Sequence, residues 1–262
     1  MIATHKIFAG DGAATGFRVA GTAQRTVIFV HGVGSTGAIW DRQLTAFEGL
    51  FRSVAVELRG NGISKPEPIP EAITRSGYAL DVIAIADSLG VEQFDLVGCS
   101  LGGVVAFELA KVVPERMRSL TFLGSFACYP DAPAYVERII GAARAARSMR
   151  EFAVARASQL GLPAVRQAET IDQMSCKEIA SYEAATMATW TGDYRDILPR
   201  ITAPTLVAYG ARDTIAPAQL SLEIATGITG ARLVELPDAG HVANADNPAA
   251  FNAMLVDFLT TV

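Results

Sequence analysis

The chain has 262 residues, half of them apolar and 19% charged, with a formal net charge of −5; this balance suits a compact globular core and excludes a disordered chain. An acidic balance leaves no basic field for a phosphate backbone, so nucleic acid is not expected as a partner. No apolar run approaches the roughly 20 residues that span a bilayer, and the opening MIATHKIFAGDGAATGFRVAG lacks the basic-then-apolar pattern of a secretory signal. Three cysteines, Cys99, Cys128 and Cys176, form no CxxC pair and fit neither a disulfide framework nor a zinc site. The expectation is a cytoplasmic protein, monomer or homodimer, without a membrane partner.

In chain order, residues 7–20 read as one or two antiparallel strands. Thr26–Val30 (TVIFV) is a fully apolar strand that runs into His31-Gly32-Val33-Gly34. Further strands are predicted at 53–56 (SVAV), 94–97 (FDLV), 120–123 (LTFL), Thr205–Tyr209 (TLVAY) and Arg232–Leu236 (RLVEL), with segments of helical period between them. That alternation predicts an α/β fold, a mostly parallel sheet flanked by helices, with its chemistry at the C-terminal strand ends. From Ser125 to about Arg195 the strand rhythm stops. An Ala-, Arg- and Glu-rich stretch, broken at Pro130, Pro133, Gly161-Leu162-Pro163 and Gly192, reads as a helical cap insertion. The expected division is therefore a core of residues 1–124 and 196–262 and a cap of residues 125–195.

The strand at 94–97 leads into Gly98-Cys99-Ser100-Leu101-Gly102-Gly103 and then a helix-like run. This G-x-S-x-G pattern between strand and helix presents a serine on a sharp, strained turn. Side chains at 98 and 102 would collide with the flanking elements, and glycine removes them. A phosphate-cradling loop is the competing reading, and no Lys-Ser/Thr pair follows to support it. Ser100 is thus the candidate nucleophile. Leu101 opens the helix, where its amide can stabilise a developing negative charge.

A base is sought among three histidines. His5 has no chemical neighbours in sequence, and His31 reads as support for a loop beside the nucleophile. His241, in Pro237-Asp238-Ala239-Gly240-His241-Val242 after the last predicted strand, remains. Its orienting acid should come from another strand end. Asp213, directly after TLVAY, fits best, and Asp131, after the strand at 120–123, stays open as a competitor. A tetrahedral intermediate needs two backbone donors; Leu101 and Val33, the latter in the glycine-containing loop after TVIFV, are the expected oxyanion hole.

These residues resemble the α/β-hydrolase superfamily, and within it lactonases and esterases similar to 3-oxoadipate enol-lactonase. The resemblance covers nearly the whole chain. It rests on His31-Gly32-Val33-Gly34 with Trp40 and Gln43, on Glu57-Leu58-Arg59-Gly60-Asn61-Gly62-Ile63-Ser64, on Gly98 to Gly103, on Gly210-Ala211-Arg212-Asp213 and on Ala239-Gly240-His241. The chain departs from the family pattern at Glu57, Asn61 and Cys99, none of them in the expected triad. Ser100, where dehalogenases carry aspartate, argues against halide displacement, and Cys99 reads as a small packing residue.

The resemblance implies a serine esterase or lactonase whose substrate is a small ester or lactone, with an enol-lactone acid as one candidate and no metal or organic cofactor. A carbon–carbon bond hydrolase of a vinylogous diketone would use the same triad, and a catalytically slow ligand sensor is a rival of another class. The cap should line the pocket and set the substrate. Arg138, Arg144, Arg147, Arg150 and Arg156 give it a positive bias, read either as a solvated face or as a carboxylate contact. Trp190, Tyr135 and Arg144 are the expected substrate-binding residues.

Overall fold

The computed structural model describes residues 1–64, 69–159 and 164–262; the predicted break at Gly161-Leu162-Pro163 lies outside them. Eight strands, β1 Ala3–Phe8, β2 Ala14–Ala20, β3 Thr26–Val30, β4 Arg52–Glu57, β5 Phe94–Cys99, β6 Met117–Leu123, β7 Thr205–Gly210 and β8 Arg232–Leu236, form one sheet in the order β1-β2-β4-β3-β5-β6-β7-β8. The β1–β2 and β2–β4 pairs are antiparallel, and every pair from β4 to β8 is parallel. The antiparallel strands expected at 7–20 are this hairpin, which begins earlier, at Ala3.

Helices α1 Asp41–Ala46, α2 Arg75–Ser88, α3 Leu101–Val112, α8 Ala218–Gly227, α9 Ala243–Asp246 and α10 Pro248–Thr261 belong to the strand-and-helix alternation. Between β6 and β7 lie α4 Ala132–Ala145, α5 Met149–Gln159, α6 Ala164–Ser175 and α7 Ile179–Trp190. No helix among the described residues is long and apolar enough to cross a membrane.

The strand pleat explains the two-sided core. Ile28 and Val30 of β3 join Val54, Val56, Leu96 and the inner faces of α2 and α3. Val27 and Phe29, one residue out of phase, join Trp40, Leu44, Phe251 and Leu255 on the other face. A buried ion pair anchors the loop after β4: Arg59, 1% exposed, donates to Asp81, 0% exposed, at 2.8 Å. Desolvation pushes the Asp81 carboxyl up to about 6 despite that partner.

The chain leaves and re-enters the core at neighbouring strands. An isolated antiparallel bridge pairs Cys128 with Asp193, and the Tyr194 amide donates to the Ala127 carbonyl at 2.8 Å. Within the four inserted helices, Ile139, Ala143, Met149, Phe152, Ala153, Met174 and Tyr182 make a separate apolar cluster, with Val33 of the β3 loop packed against it. Burial of these side chains holds the helices on one another and over the strand ends.

Candidate active site

At the C-terminal end of β5 the chain turns through Ser100 at φ 54°, ψ −110° before α3 begins. Such a backbone costs on the order of 1–3 kcal/mol for a residue with a Cβ, and it persists because its neighbours leave no other path. A Cβ on Gly98 would stand 2.2 Å from the Gly102 carbonyl oxygen, and one on Gly102 would stand 2.2 Å from the Val30 carbonyl oxygen. Both distances are far inside contact, so glycine is required at each place. The Ser100 amide donates to the Leu123 carbonyl at 3.0 Å, fixing the turn to β6. Ser100 is 2% exposed, and its Oγ has no hydrogen-bond partner among the described residues.

At the end of β7, a turn closed by the Asp213 amide on the Gly210 carbonyl, 3.0 Å, brings in Asp213. Its Oδ1 accepts from the amides of Ile215 at 2.8 Å and Ala216 at 2.9 Å. Its Oδ2 faces Nδ1 of His241 at 2.8 Å. With both amides holding the carboxylate, the imidazole proton sits on Nδ1 as the donor, which leaves Nε2 as the basic nitrogen. Gly124, at φ 52°, closes over this pair: a Cβ there would lie 3.1 Å from Asp213 Oδ2 and 3.2 Å from His241 Nδ1. Asp131 instead stands at the start of α4 in left-handed conformation, φ 48°, and is exposed; the carboxylate that reaches His241 is that of Asp213. The His241 loop is held by the Gly240 amide, which donates to Asp246 Oδ2 at 3.0 Å.

The loop after β3 lies beside the serine, and a Cβ on Gly32 would be 3.9 Å from Ser100 Oγ. The Ser35 amide donates to the Gly32 carbonyl at 3.2 Å across Val33 and Gly34, and Gly34 has φ 80°. A type II turn demands such a value at its third position. His31 pins this turn from beneath: its Nδ1 donates to the Gly32 carbonyl at 2.9 Å, and its Nε2 accepts from the Leu58 amide at 3.3 Å. Burial, with a smaller push from the Lys177 charge, lowers the His31 pKa to about 3 and keeps the ring neutral. Leu101, the first residue of α3, has an amide with no acceptor in its own helix. Cys99 is buried behind the turn, where burial first and the charge of Asp213 second push its thiol pKa upward, so it is not poised as a thiolate.

A cavity of about 90 Å³ opens beside His241, with walls that include Val33, Arg156, Arg166, Met174, Tyr182 and Ile215. None of the three expected substrate-binding residues lines it. Arg144 points to solvent and forms a bidentate pair with Glu183 at 2.7 and 2.6 Å. Trp190 is 3% exposed and stacks on Phe126 at 4.8 Å and 12°, so its indole is spent on packing. Tyr135 packs on Trp190 at 4.6 Å and accepts from Arg156 at 3.0 Å. Sequence reading passed over Arg166. It shares one helical face with Thr170, Gln173 and Met174, all in the cavity wall; this mixed face carries no apolar periodicity, and the only sequence signal was the spacing i, i+4, i+7, i+8.

A parallel sheet of this order, with a strained serine at the strand-to-helix turn and a carboxylate-held histidine at neighbouring strand ends, defines a hydrolase of the α/β class. The chain belongs to the Alpha/beta hydrolase family, which it matches over residues 27–254. It is 30% identical to the putative carbamate hydrolase RutD of Azorhizobium caulinodans, with 88% of this chain and 90% of that protein covered. It is 28% identical to the pimeloyl-[acyl-carrier protein] methyl ester esterase of Neisseria meningitidis, over 92% of this chain and 95% of that one. Among solved structures, the enol-lactonase from Burkholderia xenovorans LB400 superposes with a TM-score of 0.87 at 26% identity, covering 98% of this chain and 100% of that chain. Proteins named as hydrolases, esterases and lactonases thus share the whole architecture, and the chain is an α/β-hydrolase enzyme.

Proposed function

We propose that the protein hydrolyses a small ester or lactone through Ser100, His241 and Asp213. The observation that carries this reading is the Asp213–His241 contact at 2.8 Å at the same sheet edge as a buried serine whose Oγ is without a hydrogen-bond partner among the described residues. His241 Nε2 takes the Ser100 proton as Oγ adds to the carbonyl carbon. Asp213 holds the imidazole tautomer and stabilises the imidazolium. The amides of Val33 and Leu101 receive the oxyanion, each such donor contributing roughly 10²- to 10³-fold. His241 then returns the proton to the leaving oxygen, and a water deprotonated by the same ring releases the acid from Ser100. Helices α4 to α7 act as a cap that excludes bulk water and shapes the acyl pocket. The esterase and lactonase names among the relatives support this chemistry over carbon–carbon bond cleavage.

The test is turnover of p-nitrophenyl acetate together with labelling by a fluorophosphonate probe. The wild-type chain is expected to cleave the ester and to carry the probe on Ser100, and Ser100→Ala to lose both. Full turnover by the alanine variant, or labelling elsewhere, overturns the assignment.

A further inference from the structure

The loop that carries His241 leaves two hydrogen bonds unmade. Ser100 Oγ, from which His241 would take a proton, has no hydrogen-bond partner among the described residues. At the far end of the same loop, Asp246 Oδ1 and the Nε–H of Arg166 on α6 are likewise buried without one, and they face each other at 3.7 Å. That is about 1 Å longer than a charge-assisted hydrogen bond. Asp246 is tied into the loop twice: its Oδ2 accepts from the Gly240 amide at 3.0 Å, and its own amide donates to the Val242 carbonyl at 3.0 Å. Arg166 belongs to the inserted helices and stands in the wall of the cavity beside His241. Its Nη1 donates to Glu169, one turn along α6, while its Nε edge is turned to Asp246. No other cation pairs with Asp246 among the described residues, and the nearby Arg42 donates to the Ala245 carbonyl at 3.0 Å. Two turns along the same helix, Gln173 accepts from Ser35 Oγ at 2.8 Å. Helix α6 therefore touches both the loop of His241 and the loop that contains Val33.

We infer that Arg166 is a positioning residue for His241: by closing on Asp246 it carries the loop from Gly240 to Asp246, and Nε2 with it, onto Ser100 Oγ. The inference rests on the reading of Ser100 and His241 as the reacting pair. Asp213 fixes the tautomer of the ring, but it grips Nδ1 alone; where the opposite nitrogen lies depends on the backbone of the loop. A buried charged donor and a buried charged acceptor left apart are costly, so their closure is favourable and can hold that backbone. The reacting side chains all come from the core, and α6 supplies their alignment.

Hydrolysis of p-nitrophenyl acetate by the full-length protein tests this, because its acetyl group is too small to lean on Arg166 for binding. Arg166→Met is expected to lower kcat by about tenfold with KM nearly unchanged, and to slow labelling of Ser100 by the fluorophosphonate probe by a similar factor without abolishing it. Arg166→Lys, which keeps a cation toward Asp246, should recover part of the loss. Asp246→Asn keeps an acceptor for the Gly240 amide and removes the charge, so it should cost about as much as Arg166→Met. The double variant should be no slower than either single one, since both break the same link. Arg150→Met, which removes a pair with Asp172 inside the insertion, should leave kcat as it was. A kcat of Arg166→Met within twofold of wild type, a loss confined to KM, or losses that add in the double variant overturns the proposal. If Arg166→Met does not fold, Arg166→Lys carries the same comparison: its smaller loss should vanish in the Asp246→Asn background, and a loss that persists there sinks the idea. Ester turnover retained by Ser100→Ala would defeat the proposed function alone, and the double-variant comparison would still decide whether Arg166 acts through Asp246.

Discussion

Ser100 keeps its left-handed backbone at a cost to folding, and that cost is measurable. In Ser100→Gly the strain of about 1–3 kcal/mol is relieved, offset by the extra chain entropy of glycine, about 0.4–1 kcal/mol. Ser100→Gly is therefore expected to be more stable than Ser100→Ala by about 1 kcal/mol, a rise of roughly 2–4 °C in Tm for a chain of this size. Equal melting temperatures for the two inactive variants would show that the turn stores no strain. His31 offers a second reading at this scale. Its pKa is lowered from 6.5 to about 3 in the fold, so above pH 6.5 neither the folded nor the unfolded chain carries that proton and its contribution is complete. As the pH falls below 6.5 the unfolded chain takes up a proton that the folded one refuses, and stability drops, by about 2 kcal/mol at pH 5. Asp81 and Glu57, both raised by desolvation, act in the opposite sense. The advantage of wild type over His31→Gln in urea midpoint should accordingly shrink from pH 7.5 to pH 5; a constant difference would mean that His31 titrates normally.

At the scale of elements, the connection between α6 and α7 grips the loops that follow β3 and β4. Lys177, 8% exposed, donates to the Ser35 carbonyl at 3.2 Å and to Asn61 Oδ1. Removing its charge leaves buried acceptors without that donor, at about 1–3 kcal/mol each, and loosens the loop that contains Val33. Lys177→Met is expected to lower kcat for p-nitrophenyl acetate by roughly tenfold or more, with a smaller change in KM. Because the Lys177 charge helps to depress the His31 pKa, an imidazole NMR titration should also find that pKa higher in the variant. An unmoved His31 titration beside an unmoved kcat would reduce Lys177 to a packing residue. This tie was invisible in the sequence, where Lys177 stands in a helical stretch 142 positions from its partner Ser35. The nucleophile turn was legible for the opposite reason: its steric demand falls on the residues two places before and after Ser100, Gly98 and Gly102, so local spacing carries the geometry.

Across the whole molecule, legibility follows the range of the forces. Strand positions could be read because apolar runs such as TVIFV declare a two-sided burial, whereas the order of the strands, with β3 between β4 and β5, comes only from the folded sheet. The cavity could not be read. Arg144, Arg147 and Arg150 read either as a solvated face or as a carboxylate contact, and in the fold each pairs with a nearby acid, Glu183, Glu151 or Asp172. Which arginine lacks such a partner depends on how α5 and α6 pack over the strand ends, and no local pattern encodes that. The trio of Ser100, Asp213 and His241 lies between these cases: loop position and chain order named the residues, and only the folded sheet brings Asp213 rather than Asp131 to His241.

The Cys128–Asp193 bridge sets the two ends of the four-helix insertion next to each other, at the Cα separation of about 5 Å usual for such a pair. Segments whose ends meet in this way can be exchanged as cassettes, since any insert that closes the same short gap leaves β6 and β7 undisturbed. A chimera that keeps this core and takes residues 129–192 from a relative should fold, stay reactive to the fluorophosphonate probe at Ser100, and adopt the donor's preference among esters. Loss of probe labelling in a folded chimera would mean that the insertion helps to build the reacting groups themselves. If labelling is kept, selectivity in this scaffold evolves by recombination at one seam as readily as by substitution, with Ser100, Asp213 and His241 all inherited from the core.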